Sequence, residues 1–163
     1  MKQFSSMADL AAHLAGLAVV QHEANHRALE HAAKVVEREA KNRIGEYQDA
    51  SGPFAGWAEL ADSTKADRVA QGYSENEPGL RSGEMRDSIG HRVGDGDAHI
   101  GSDDDKLVWF ELGTENQPPR SVLDGAAVAK EAEVVAIIGE SAVAALVGEE
   151  VAGNRLLITG GAD

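Results

Sequence analysis

Residues 100–120, Ile100-Gly-Ser-Asp-Asp-Asp-Lys-Leu-Val-Trp-Phe-Glu-Leu-Gly-Thr-Glu-Asn-Gln-Pro-Pro-Arg120, decide how the fold is read. The run predicts a tight acidic turn, a strand over 107–112 that holds one of the two tryptophans, and a rigid turn into a helix. In such a strand Leu107, Trp109 and Glu111 point one way and Val108, Phe110 and Leu112 the other. Both faces are largely apolar, so a helix covers one and a second helix or another subunit is needed for the other. Pro118 and Pro119 lack amide protons and restrict the residues before them, which ends the strand and sets the exit angle. Ser121 stands at the expected helix N-cap, with Asp124 three residues on in the capping-box position.

Working back from this stretch, the period is two from Gly90 onward. Strands around 91–93 and 98–102, separated by Asp95-Gly96, join 107–112 in a three-stranded antiparallel meander. Residues 155–159 fit either a fourth, edge strand or a peptide that pairs with a neighbour. Asp95, Asp97, Asp103, Asp104 and Asp105 gather at the turns. They lack the twelve-residue loop and closing Glu of a calcium hand, and solvated turns are the better reading.

Flanking the sheet are two long helical patterns. Over 7–46, Met7, Leu10, Leu14 and Leu17, then Leu29, Ala32, Ala33, Val36, Ala40 and Ile44, recur at three- and four-residue spacings, with Ser5 or Ser6 as cap and Gly45 at the end. A helix of that length, about 60 Å, either breaks near 21–25 or sends its N-terminal half to a partner. The second pattern covers 122–148 on a spine of Leu123, Ala126, Ala127, Val134, Ile137, Ile138, Ala145 and Leu146. Between helix and sheet, 47–89 is a long inserted loop region punctuated by Gly52-Pro53, Gly56, Gly72 and Pro78-Gly79. A short helix over 64–71 and a one- to two-turn helix with Met85 and Ile89 on one face interrupt it, and Trp57 and Leu60 pin it to the body. Residues 160–163 fray. The expected fold is α+β, one domain over 1–163, with a small antiparallel sheet of three to four strands packed against long N- and C-terminal helices.

Composition bounds the chemistry. One sizeable core fits 163 residues, and 18 glycines with only 4% aromatics suggest thin packing and stability partly supplied by a partner. The absence of cysteine excludes disulfides, zinc-thiolate sites and thiol nucleophiles, and agrees with a reducing compartment. The Ala-rich start is interrupted by Asp9 and His13 and does not read as a signal peptide, and no run reaches the roughly 20 apolar residues of a membrane span. The formal charge is -13, and the 116 residues after residue 47 hold the whole excess, with nine basic against 22 acidic groups. Such a surface repels a phosphate backbone, so gripping DNA is not expected, whereas an acidic wall past which DNA slides remains open.

Two motifs bear on chemistry. His22-Glu23-Ala24-Asn25-His26 matches the H-E-x-x-H zinc signature and puts both imidazoles on one helical face. It has no convincing third ligand and no preceding substrate-edge strand, so a solvated helix face is the expected role and no metal is assigned. Glu111 with His91 or His99 is a conceivable acid-base pair, but nothing in the sequence brings them together. No phosphate loop, nucleophile triad or cofactor motif is present, and no catalytic residue is assigned. The residues alone favour a structural or interaction protein over an enzyme or a small-ligand module.

A resemblance sharpens this. Trp57-Ala-Glu-Leu60, Ser63-Thr64, Leu80-Arg-Ser-Gly-Glu-Met-Arg-Asp-Ser-Ile89, Ile100-Gly-Ser102, Val108-Trp-Phe-Glu-Leu-Gly-Thr114 and Pro118-Pro-Arg-Ser-Val-Leu123, in that order, resemble the tail-completion (neck) family of long-tailed bacteriophages and the related virion-morphogenesis family of minor tail proteins. The likeness spans roughly residues 54–130, and Leu112 stands where the family more often has an aromatic. It implies a non-enzymatic virion protein, made in the host cytoplasm and acting where the finished tail joins the DNA-filled head. Its implied partners are copies of itself in a ring, taken as hexameric, and the neighbouring head-closure and tail-tube or tail-terminator proteins, with DNA only as passing cargo and no membrane. Carried onto this chain, Leu80, Arg81, Gly83 and Ile89 would form a short helix under the sheet. Glu111, Gly113 and Thr114 would close the central strand, Pro119 and Arg120 would set the turn into the last helix, and Trp109 and Phe110 would be the interface aromatics. A tail-terminator ring protein and a zinc metallopeptidase using His22, Glu23 and His26 are the alternatives.

Overall fold

The computed structural model describes residues 4–147. Its elements are α1 (Met7–Arg43), α2 (Asp62–Ala70), α3 (Glu84–Asp87), β1 (Ile89–Val93), β2 (Ala98–Ser102), α4 (Asp105–Leu112) and α5 (Leu123–Val147). The α+β class with long flanking helices is as expected, but the sheet is smaller: β1 and β2 form a two-stranded antiparallel hairpin, paired from Ile89 with Ser102 to Val93 with Ala98. The reading of 155–159 as a strand, the fraying of 160–163 and the helix end at Gly148 fall outside the described residues.

The missing third strand is the main correction, because residues 107–112 lie in α4. The Asp104 side chain accepts a hydrogen bond from the Lys106 amide at 2.9 Å and caps the helix, while Asp105 sits favourably in its first turn. A four-residue apolar run fits either period, and here the three-residue spacing of Leu107 and Phe110 decides. Those two enter the core together, which alternation on a strand would forbid.

α1 runs 37 residues unbroken, so of the two expected arrangements the break near 21–25 is not the one found; Ser6 caps it, its hydroxyl accepting from the Asp9 amide. At 21–25 the Gln21 side-chain amide donates to Asn25 one turn on, so that polar stretch supports the helix. α5 packs antiparallel along α1. Ser141 donates to the Ala24 carbonyl at one end, and at the other a Cβ added to Gly125 would lie 2.7 Å from the Arg43 guanidinium. Alanines at 28, 32, 33 and 40 let the helices approach closely. The hairpin lies along another side of α1, from His91 beside Glu37 to Asp95 beside His22.

The core is one cluster of Val36, Ala40 and Ile44 from α1, Trp57, Met85, Ile89, Leu107, Phe110, Val122 and Ala126. Trp57 pins the loop region as expected, while Leu60 is only half-buried. The short helix proposed from Leu80, Arg81, Gly83 and Ile89 is corrected: α3 is four residues long, Gly83 caps it in the left-handed region, and Ile89 opens β1. Leu80 and Arg81 sit in the loop before it. Arg68, buried on α2, holds that loop by donating to the Ser74 and Leu80 carbonyls, both at 2.6 Å.

Candidate interaction surface

α4 has two faces of opposite character. Leu107 and Phe110 are 2% and 7% exposed, whereas Val108, Trp109 and Leu112 are 51%, 57% and 72% exposed. Successive residues on a helix diverge by about 100°, so Trp109 faces solvent because Phe110 faces the core. The sequence reading placed these aromatics on opposite faces of a strand, and their divergence survives in a helix. Three large apolar side chains side by side on an eight-residue helix make a patch of the kind found at protein contacts.

The inner face of α4 fixes this patch rigidly. The Trp57 ring meets Phe110 edge-on at 5.4 Å and 82°. The Arg120 guanidinium lies over the same ring at 5.4 Å and donates to the Ala58 carbonyl at 2.8 Å, while its own amide donates to the Phe110 carbonyl. Arg120 is only 3% exposed, and burial pushes its pKa below the ordinary value. It ties the 57–60 segment, α4 and the turn into α5 to one another. Gly113 ends α4 at φ 75°, where an added Cβ would also come within 2.7 Å of the Pro119 nitrogen. Thr114 and Gln117 then pair across the turn that leads to Pro118 and Pro119.

Glu111 closes no strand. Its carboxylate accepts the Val122 and Leu123 amides at Oε2, 2.7 and 2.9 Å, and the Asp124 amide at Oε1, 3.1 Å. These are the otherwise unpaired donors at the start of α5, where the helix dipole also favours a negative charge. The cap expected from Ser121 is thus supplied by the preceding helix. No local spacing signals such a cap, since it lies eleven residues upstream and across a turn.

The other candidate residues are not brought together. His91 faces Glu37 through Nδ1 and Glu30 through Nε2 at 3.3 Å, His99 pairs with Asp97 at 2.9 Å, and Glu111 is held at α5. A hollow of about 340 Å³ on the hairpin includes Arg92, His99, Gly90 and Gly101 in its wall. Its histidines already have carboxylate partners, and its serines, Ser88 and Ser102, hydrogen-bond to each other at 2.5 Å. His22 lies 3.4 Å from Asp95 with both side chains well exposed, and Glu23 pairs with Arg27 at 3.9 Å. Among the described residues no group of three or more potential ligands is placed to hold a metal, so the metallopeptidase alternative is not carried further. Also among them, no helix is long and apolar enough to cross a membrane. Comparison with protein-family models, curated proteins and solved structures returns no match.

Proposed function

We propose that this chain is a non-enzymatic virion protein of a long-tailed bacteriophage, a tail-completion or neck subunit that joins copies of itself into a ring between tail and head. The observation that carries the reading is the outward apolar face of α4, Val108, Trp109 and Leu112, inside the motif run that resembles that family. A patch held this rigidly suits a permanent contact, because little side-chain or loop freedom remains to be lost on binding. Arg120, Gly113 and Glu111, the family-like residues around it, hold the patch in place. The acidic excess after residue 47 suits the wall of a DNA passage, where like charge keeps the cargo moving. On this reading the protein resides in the host cytoplasm during assembly and in the virion afterwards, against head-closure and tail-tube or tail-terminator proteins.

The test is a lysate from a phage or prophage with this coding sequence deleted, viewed by electron microscopy and titred. The expected result is DNA-filled heads and separate tails that fail to join or join without infectivity, with partial recovery when purified protein is added. Joined, infectious particles, or heads that fail to fill, overturn the proposal.

A further inference from the structure

The hairpin sets two glycines face to face. Gly90 of β1 pairs with Gly101 of β2, and two residues nearer the turn Arg92 pairs with His99. Ile89 is 1% exposed and His91 lies against Glu37 and Glu30 of α1, so the alternate positions Gly90, Arg92, His99 and Gly101 point away from α1. Together they form the outer face of the hairpin and wall the hollow of about 340 Å³.

Glycine weakens a strand interior, and where it stands there it marks a bulge, a sharp bend or the close approach of another group. The register runs unbroken from Ile89 with Ser102 to Val93 with Ala98, which leaves no bulge, and neither Gly90 nor Gly101 has a positive φ. Close approach remains. A Cβ placed on either glycine would meet nothing within 4 Å among the described residues, so the approaching group is not one of theirs.

The walls state what that group carries. Peptide N–H and C=O groups in a ladder point sideways within the sheet, so the glycine floor offers no hydrogen bonds upward and suits a flat apolar ring, as aromatic side chains cover glycines in sheets. Arg92 is exposed and has no hydrogen-bond or ion-pair partner among the described residues, in a chain where 28 acidic groups outnumber 15 basic ones. His99 is taken by Asp97 at 2.9 Å, and Ser88 and Ser102 by each other. One available cation with Asp97 and Asp103 close by accepts a single carboxylate and repels a chain of phosphates. The floor and Arg92 are two residues apart along β1, about 7 Å, which is also the spacing of two side chains on one face of an extended segment. Because the hollow is open to solvent, a free small molecule would stay largely wet in it, whereas a segment anchored in a larger partner needs to place only two side chains there.

We infer that the outer face of the hairpin docks an extended segment of a partner protein, with an aromatic side chain over Gly90 and Gly101 and an Asp or Glu two residues away on Arg92. The site does not depend on the function proposed above.

The test is nuclear magnetic resonance on the full-length, 15N-labelled protein, following the Gly90 and Gly101 amides and the Arg92 side chain. The probe is a blocked five-residue glycine peptide with Phe in second place and Glu in fourth. Three controls replace the Phe by Leu, replace the Glu by Gln, or use phenylacetate alone. Saturating shifts confined to the hairpin are expected with the first peptide, and affinity about tenfold weaker or worse for each control. Arg92→Gln protein should show the same loss, and its discrimination between the Glu and Gln peptides should vanish. Gly101→Val should abolish binding by filling the floor, and since the added side chain has open space in a strand the hairpin resonances should otherwise persist.

Absence of hairpin shifts, or shifts that are unchanged in Arg92→Gln and Gly101→Val, overturns the inference. Phenylacetate binding as tightly as the peptide overturns the choice of a protein partner in favour of a small aromatic acid. Nuclear Overhauser contacts from Gly90 or Gly101 to residues 148–163 in the protein alone would show that the chain's own C-terminal segment covers the floor, and overturn it as well.

Discussion

Arg120 and Glu111 show how side chains from α4 and the turn after it organise the centre of the molecule. Arg120→Glu would put a carboxylate against the Ala58 carbonyl and the Phe110 ring with no cation to meet it, and we expect this protein to be unfolded or insoluble. Arg120→Met keeps the packing and loses the side-chain bond to Ala58, so it should fold and lose about 1–2 kcal/mol in urea denaturation. An assembly defect in Arg120→Glu would therefore report on folding and not on a contact surface. Glu111→Ala frees three amides at the start of α5 and should cost about 2 kcal/mol, with Glu111→Gln intermediate because one acceptor oxygen remains. Gly113→Ala meets both the positive φ and the Pro119 nitrogen and should cost more than about 1 kcal/mol. Thermal melts of these variants check the order.

The hairpin is docked on α1 by a charged clamp whose strength follows pH. His91 has a carboxylate against each ring nitrogen, so it satisfies both only as an imidazolium that donates to both. The hydrogen bond to Glu37 raises its pKa most; burial opposes this and the bond to Glu30 adds to it. Burial alone would raise Glu37, but bonds from Lys41 and His91 outweigh it and hold the carboxyl below its ordinary value. Lys34 first and His91 second do the same to Glu30. The imidazolium contribution is fully present below the ordinary value of 6.5 and is lost as pH rises through the raised folded value. The glutamate contributions are present above their ordinary value of 4.5 and are lost as pH falls through the lowered ones. Amide hydrogen exchange in residues 89–102, corrected for the intrinsic effect of pH, should show weaker protection in mildly alkaline than in mildly acidic buffer. In His91→Gln that difference should flatten, and an unchanged slope would assign the docking to apolar contacts alone.

At this scale too the limits of sequence reading become plain. α1, α5, the hairpin with its turn at Asp95-Gly96 and the pin at Trp57 were legible, because periodicity, capping and turn residues are local signals. α4 was not. Leu107 to Phe110 satisfies both periods over so few residues, and burial against Trp57, Val122 and α1, which no local window contains, decided for helix. For the same reason Glu111 was expected to close a strand, whereas it lies in α4 and its carboxylate caps α5. Arg68, bonded to two carbonyls, and Arg43, buried beside Glu39, were not legible because a buried arginine looks like any surface arginine until its neighbours are known.

For the whole molecule, loss of the protein should leave filled heads and tails unjoined, and Trp109→Asp on the exposed face of α4 should weaken self-association in sedimentation velocity without unfolding the chain. The long pairing of α1 with α5 also bears on synthesis. The two helices are joined near Arg43 and Gly125 and again near Ala24 and Ser141, yet about 80 residues separate them in the chain, which takes on the order of ten seconds to translate. Throughout that interval the first helix to emerge has no partner for its packing face. Because the buried part of that face between 28 and 40 is built mainly from alanine, with valine at 35 and 36, it offers little adhesive surface to other nascent chains, and the composition that lets the helices pack closely at the end also limits aggregation on the ribosome.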